Sequence, residues 1–167
     1  MRVRRLALCA LLAAVALTIF VLEAQIPLPA PIPGLKLGLS NIVILFTLFA
    51  LGRKEALAVL LVRILLGNLF TGQLMAMLYS LCGGLLSFLV MALLRRKLPV
   101  GQIWVAGVLG GLCHNIGQMA VAVAVTQSEQ LLYYLPVLEL CGLLTGAFTG
   151  LCAQLLYQKN IFWRYLK

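Results

Sequence analysis

Apolar residues fill this chain in six long blocks, at about 6–22, 37–51, 56–70, 74–94, 102–125 and 131–157. A helical membrane crossing needs about 20 predominantly apolar residues. The blocks therefore predict an all-α fold, an integral membrane bundle of six transmembrane helices forming a single domain over 1–167. The breaks between blocks are short and chemically distinct. Gln25–Gly34 carries four prolines in seven residues, and proline lacks the N–H and fixes φ, so no helix continues through it. An ordered, extended, apolar loop is expected there. Gly52-Arg53-Lys54, Thr71-Gly72-Gln73, Arg95–Pro99 and Thr126–Gln130 punctuate the rest. The first block follows Arg2, Arg4 and Arg5 as a signal peptide would. Its length and the poor cleavage sequence at Leu22-Glu-Ala-Gln predict a retained helix instead.

Composition gives the same reading. Of 167 residues, 63% are hydrophobic and 10% charged, where a soluble domain carries about a quarter charged residues. The formal charge of +9 would suggest nucleic acid in a soluble protein. Here it is clustered at block ends, with no basic stripe interleaved with aromatics, so it reads as a topology signal. Arg2, Arg4, Arg5, Arg53, Lys54, Arg95, Arg96, Lys97, Lys159, Arg164 and Lys167 fall on one side of six alternating crossings, and only Lys36 falls in a loop on the other. The positive-inside bias predicts cytoplasmic N- and C-termini in the cell membrane.

Several chemistries are excluded. The five cysteines form no CxxC pair and read as small hydrophobes; with a single histidine, no metal site is expected. There is no Walker A sequence for ATP hydrolysis. All four acidic residues are glutamate, so the clustered aspartates that hold magnesium against a diphosphate are missing. A non-enzymatic protein without cofactors is expected.

Ionisable and amide side chains inside spans are costly and point to a bundle interior or a cavity. Candidates are Arg63, Glu139, His114, Gln118, Asn41 and Asn68, with Asn115 and Glu23 nearby. Counting the helical rise from the cytoplasmic surface, Arg63 lies at about 12 Å, His114 and Glu139 near 18 Å, Asn68 near 20 Å and Asn41 near 25 Å. The set spreads from mid-membrane outward, which predicts a site open to the outside beneath the proline-rich loop. Two plainer readings stand beside it: an Arg63–Glu139 pair joining spans three and six, and His114 and Gln118 bonding across helices. Gly107/Gly111 and Gly142/Gly146/Gly150 are small-residue faces for close helix packing. Ala10 and Ala14 give the first span a similar, weaker face.

Pro31-Ile-Pro-Gly-Leu-Lys-Leu-Gly-Leu-Ser-Asn41, Arg63-Ile-Leu-Leu-Gly67 and His114-Asn-Ile-Gly-Gln118 resemble the bacterial Gx transporter family, also labelled heptaprenyl diphosphate synthase component I. That family resembles in turn the substrate-binding S components of energy-coupling factor (ECF) transporters. The resemblance implies six helices around a site for a small vitamin, cofactor or quinone or isoprenoid precursor. It implies a covering loop at Pro27–Lys36, and docking of an ECF transmembrane coupling subunit, with its ATPases, on Ala10 and Ala14. The other reading is a non-catalytic membrane subunit assisting heptaprenyl diphosphate synthesis for menaquinone.

Overall fold

The structure is a computed structural model, and it describes residues 2–26, 38–72 and 74–159. The proline-rich segment and the aromatic, basic tail lie outside these residues. Six α-helices follow in order: α1 Arg2–Glu23, α2 Asn41–Ala50, α3 Arg53–Thr71, α4 Leu74–Leu94, α5 Ile103–Thr126 and α6 Leu135–Gln158. Short 3-10 turns at Val100–Gln102 and Glu129–Tyr134 lead into α5 and α6, and the described residues contain no strand. Glycine ends α3, where Gly72 takes φ 68° and its N–H returns to the carbonyls of Asn68 and Leu69.

Four helical segments are long and apolar enough to cross a membrane alone: Val3–Glu23, Met75–Leu94, Val100–Thr126 and Glu129–Gln158. The second and third apolar blocks do not reach that measure. α2 has 10 residues, roughly 15 Å at the helical rise, about half a hydrocarbon core. α3 is diluted by Arg53, Lys54, Glu55 and Arg63. α2 makes up for its length by position. Val43 to Phe49 are buried without interruption, so it is a core helix, apolar on every side.

The other helices are arranged around it. α4, α5 and α6 pack side by side, α3 packs on α4, and α2 closes the circuit by packing against both α3 and α6. α1 lies outside this ring, against α3 and α2. Ile44, Leu45, Leu48, Leu60, Ile64, Ile103 and Leu138 are almost wholly enclosed, whereas Leu69, Phe70, Leu89, Leu93, Leu140, Leu144 and Phe148 lie on the outside. A chain that leaves so much continuous apolar surface uncovered is built to be embedded in a membrane.

α5 and α6 make the tightest contact, and glycine is the reason. A Cβ added to Gly107 would stand 2.6 Å from the Gly146 carbonyl oxygen, one on Gly146 2.7 Å from that of Gly107, and one on Gly111 2.6 Å from that of Gly142. Both GxxxG faces therefore meet each other within the chain, backbone on backbone.

The charged groups gather at one end of the bundle. Arg5 of α1 lies 4.0 Å from Glu55 of α3, and Arg53 donates to the Ala92 carbonyl near the end of α4. The rings of Phe49 and Tyr157, 6.4 Å apart, bring the ends of α2 and α6 to the same level. All described Lys and Arg other than Arg63 sit at this end.

Replacing Gly146 with Leu should separate α5 from α6, at a cost of at least about 2 kcal/mol by the usual penalty for overpacking. Thermal unfolding in detergent measures it; an unchanged midpoint would show that the seam is not close-packed.

Candidate functional site

The in-membrane polar residues form three groups. The first joins α1, α2 and α3. Arg63 is 3% exposed; its Nη2 donates to Asn41 Oδ1 at 3.4 Å, and its guanidinium carbon lies 5.4 Å from the centre of the Phe20 ring. Phe20 fits there because α3 offers Gly67, where a Cβ would come within 2.6 Å of the ring. Glu23, buried at the end of α1, accepts the backbone N–H of Gly38 at 2.5 Å and of Leu39 at 3.0 Å. Those amides begin the turn that becomes α2, so the carboxylate holds the start of the core helix and places negative charge at its N-terminal end. It also supplies a long-range field to Arg63.

The Arg63–Glu139 pair is not formed. Similar depth along two helices does not make them neighbours, and α2 stands between α3 and α6. The ion pair among the described residues is Arg5–Glu55 at the charged end. Glu139 lies partly exposed on α6, with one carboxylate oxygen buried and unpaired.

The second group surrounds a cavity inside the ring, between α2, α4, α5 and α6. Its polar lining is Asn41, Ser87, His114, Asn115, Thr145 and Thr149, set among the glycines of the α5–α6 seam. Thr145 and Thr149 donate their hydroxyl protons to Cys141 and Gly146 of their own helix at 2.9 and 3.3 Å, so they present lone pairs to the cavity. Asn115 Nδ2 donates to the Leu138 carbonyl at 2.6 Å. Asn41, whose oxygen is engaged by Arg63, offers its amide N–H. The cavity measures about 20 Å³, room for one water molecule. Gly38 stands at its edge, directly after the proline-rich segment.

The third group lies along the α4–α5 contact. His114 and Gln118 do share a face, and both lie over Gly83 of α4, where a Cβ would come 3.2 Å from His114 Nδ1 and 2.8 Å from Gln118 Cγ. Asn68 is fully buried on α3, where its Nδ2 donates to the Ile64 carbonyl at 2.7 Å. Of the six candidates, then, Asn41 and His114 line the cavity, Arg63 reaches it through Asn41, and Asn68, Gln118 and Glu139 do not line it. Sequence reasoning missed Ser87, Thr145 and Thr149. The signal was present: each threonine follows a glycine of the α6 face by three residues, at Gly142 and Gly146.

Ala10 and Ala14 fall on a separate feature. They line an apolar groove of about 420 Å³ between α1 and α3, together with Leu6, Ala13, Val62 and Leu66. No cluster of His, Cys, Asp or Glu able to hold a metal occurs among the described residues.

Glu23→Ala removes two charge-assisted hydrogen bonds at once and should cost about 2–4 kcal/mol, with Glu23→Gln, which keeps one acceptor oxygen, in between. The comparison is thermal unfolding in detergent; equal midpoints for Glu23→Ala and the parent would refute the anchoring role.

Neither the curated proteins nor the solved structures provide a match to this chain. A family profile does match, over residues 12–156, from the middle of α1 almost to the end of α6. The chain belongs to the family described as heptaprenyl diphosphate synthase component I.

Proposed function

We propose that this chain is the membrane-embedded substrate-binding subunit of an ECF-type importer, taking a small vitamin, cofactor or quinone or isoprenoid precursor. The observation that supports it most is the polar cavity enclosed by the ring of helices, with Asn41 and His114 in its wall and Gly38 at its edge. A structural helical bundle has no need of a cavity lined by amide, imidazole and hydroxyl groups inside an apolar solvent. Its present size requires the helices to part before an organic ligand enters. Arg63 acts in this reading by orienting Asn41, and Gln118, Asn68 and Glu139 form its surroundings.

The chain works without catalysing a reaction. In support, it has no aspartate, no Walker A sequence and no metal-binding cluster among its described residues. The family's name speaks of a component, and so of other subunits. In our reading these are a transmembrane coupling subunit, docked on the Ala10 and Ala14 groove, and its ATPases. An assistant to a prenyl synthase is the competing reading, and the partner decides between them. Affinity purification from the native membrane should recover the coupling subunit and ATPases, and Ala10→Leu with Ala14→Leu should abolish that recovery without lowering the unfolding midpoint. Recovery of a prenyl synthase as sole partner would overturn the proposal.

The proposed topology has six crossings with both termini in the cytoplasm. Its support is the gathering of the described basic residues, Arg63 aside, at one end of the bundle. α2 and α3 cross as a pair, the short helix being shielded from lipid by its neighbours. A C-terminal green fluorescent protein fusion should fluoresce, and a cysteine placed at Gly72 in a cysteine-free background should react with an impermeant reagent added outside. A dark fusion or a protected Gly72 position would refute six crossings.

A further inference from the structure

The groove of about 420 Å³ between α1 and α3 lies on the outside of the helical ring. Its two walls run parallel. Arg5 of α1 is level with Glu55 of α3 at the charged end, and Phe20 of α1 is level with Gly67 of α3 farther along. At that far level the groove is closed. A Cβ on Gly67 would meet the Phe20 ring at 2.6 Å and Leu17 at 3.5 Å, so the two helices are there in direct contact. From Leu6 to Leu17 the groove extends about 16 Å at the helical rise, roughly half of a hydrocarbon core. It is one leaflet deep, and the leaflet is the one at the charged end.

Each wall continues at its open end into a basic residue. Cys9, Ala13 and Leu17 follow Arg5 at intervals of four, and Ala58, Val62 and Leu66 follow Lys54 in the same way. Residues four apart share a helix face, and their Cβ atoms tilt toward the helix N-terminus. On two parallel helices, Arg5 and Lys54 are therefore carried together past the groove's mouth. Both are exposed. Arg53 is turned elsewhere, onto the Ala92 carbonyl of α4. Glu55 is the single acid among the described residues at this end. Its contact with Arg5 is 4.0 Å long and the arginine is 62% exposed, so the pair is weak and opens to a competing anion.

The bilayer core has no water to fill such a groove, so hydrocarbon or protein must occupy it. A blind apolar slot one leaflet deep, with a guanidinium and an ammonium at its mouth, matches an acyl chain beneath a phosphodiester. The guanidinium fork suits phosphate oxygens, and the lysine adds a second positive charge. We propose that the groove binds an anionic phospholipid, one acyl chain lying between α1 and α3 and the phosphate held by Arg5 and Lys54. The lipid fills the groove while no protein partner is docked there.

The test is native mass spectrometry of the purified full-length protein, without partners, in detergent carrying equal amounts of phosphatidylglycerol and phosphatidylcholine with the same chains. One phosphatidylglycerol should stay bound at about five times the phosphatidylcholine level or more, the preference that a single basic residue confers near anionic lipid. Arg5→Gln with Lys54→Gln should bring the two lipids to equal retention. Lys54→Gln alone should at least halve the preference, and serves if the double variant fails to fold. Arg96→Gln with Lys97→Gln removes charge from the same end but not from the groove, and should leave the preference intact. Ala10→Leu with Ala14→Leu fills the groove and should expel the bound lipid. Equal retention of the two lipids by the parent would overturn the proposal. So would a preference that survives in Lys54→Gln, or one lost equally in Arg96→Gln with Lys97→Gln. A dimer that dissolves in Ala10→Leu with Ala14→Leu would overturn it too, making a second copy of the chain the occupant.

Discussion

Two backbones in direct contact set the terms for the remainder of the fold. Lipid tails are as apolar as leucine, so helices in a membrane are held by close packing rather than by expulsion of water. Gly107, Gly111, Gly142 and Gly146 allow α5 and α6 to approach until carbonyls touch the opposing chain. That contact fixes one wall of the ring. The same glycines line the cavity, so the residues that bring the helices together also keep the interior free of side-chain bulk. Packing and the space for a ligand have one origin.

The opposite wall solves a different problem. α2 is short, and its first amides bond back to the carbonyls of the turn before it, those of Gly38, Leu39 and Ser40. Glu23 takes the amides of Gly38 and Leu39 in that turn, and its field is felt by Arg63, which in turn holds Asn41 at the first position of the helix. Three elements thus share one electrostatic arrangement in which backbone dipole, carboxylate and guanidinium compensate one another. None of the three forms a direct ion pair with another, and each is bound through neutral groups as well.

Much of this was readable from the chain. The all-helical class and six-helix order follow from apolar block lengths and their punctuation, and the small-residue faces of α5 and α6 were visible as spacing. Depth within a span was also readable, because helical rise is constant. Rotation about the bundle axis was not. Arg63 and Glu139 have opposite charge at comparable depth, but which helix stands beside which is decided by tertiary packing. Thr145 and Thr149 escaped notice because a hydroxyl that bonds its own helix resembles an ordinary in-helix threonine until a cavity is seen beside it. The enclosure of α2 was not readable either, because hydropathy reports apolar length, not whether lipid or protein provides the apolar surroundings.

The enclosure of α2 also constrains the order in which the molecule is made. A ten-residue helix offers a membrane too little length to remain in place by itself, and much of its cover comes from α6, which is synthesised well after it. The second element in the chain therefore reaches its final environment only after the sixth has arrived. Until then α1 and α3 hold it from one side, with Glu23 keeping its leading end in register. Biogenesis of this protein is a matter of storage as well as insertion, in which an early segment is retained against its neighbours while the remainder is threaded in.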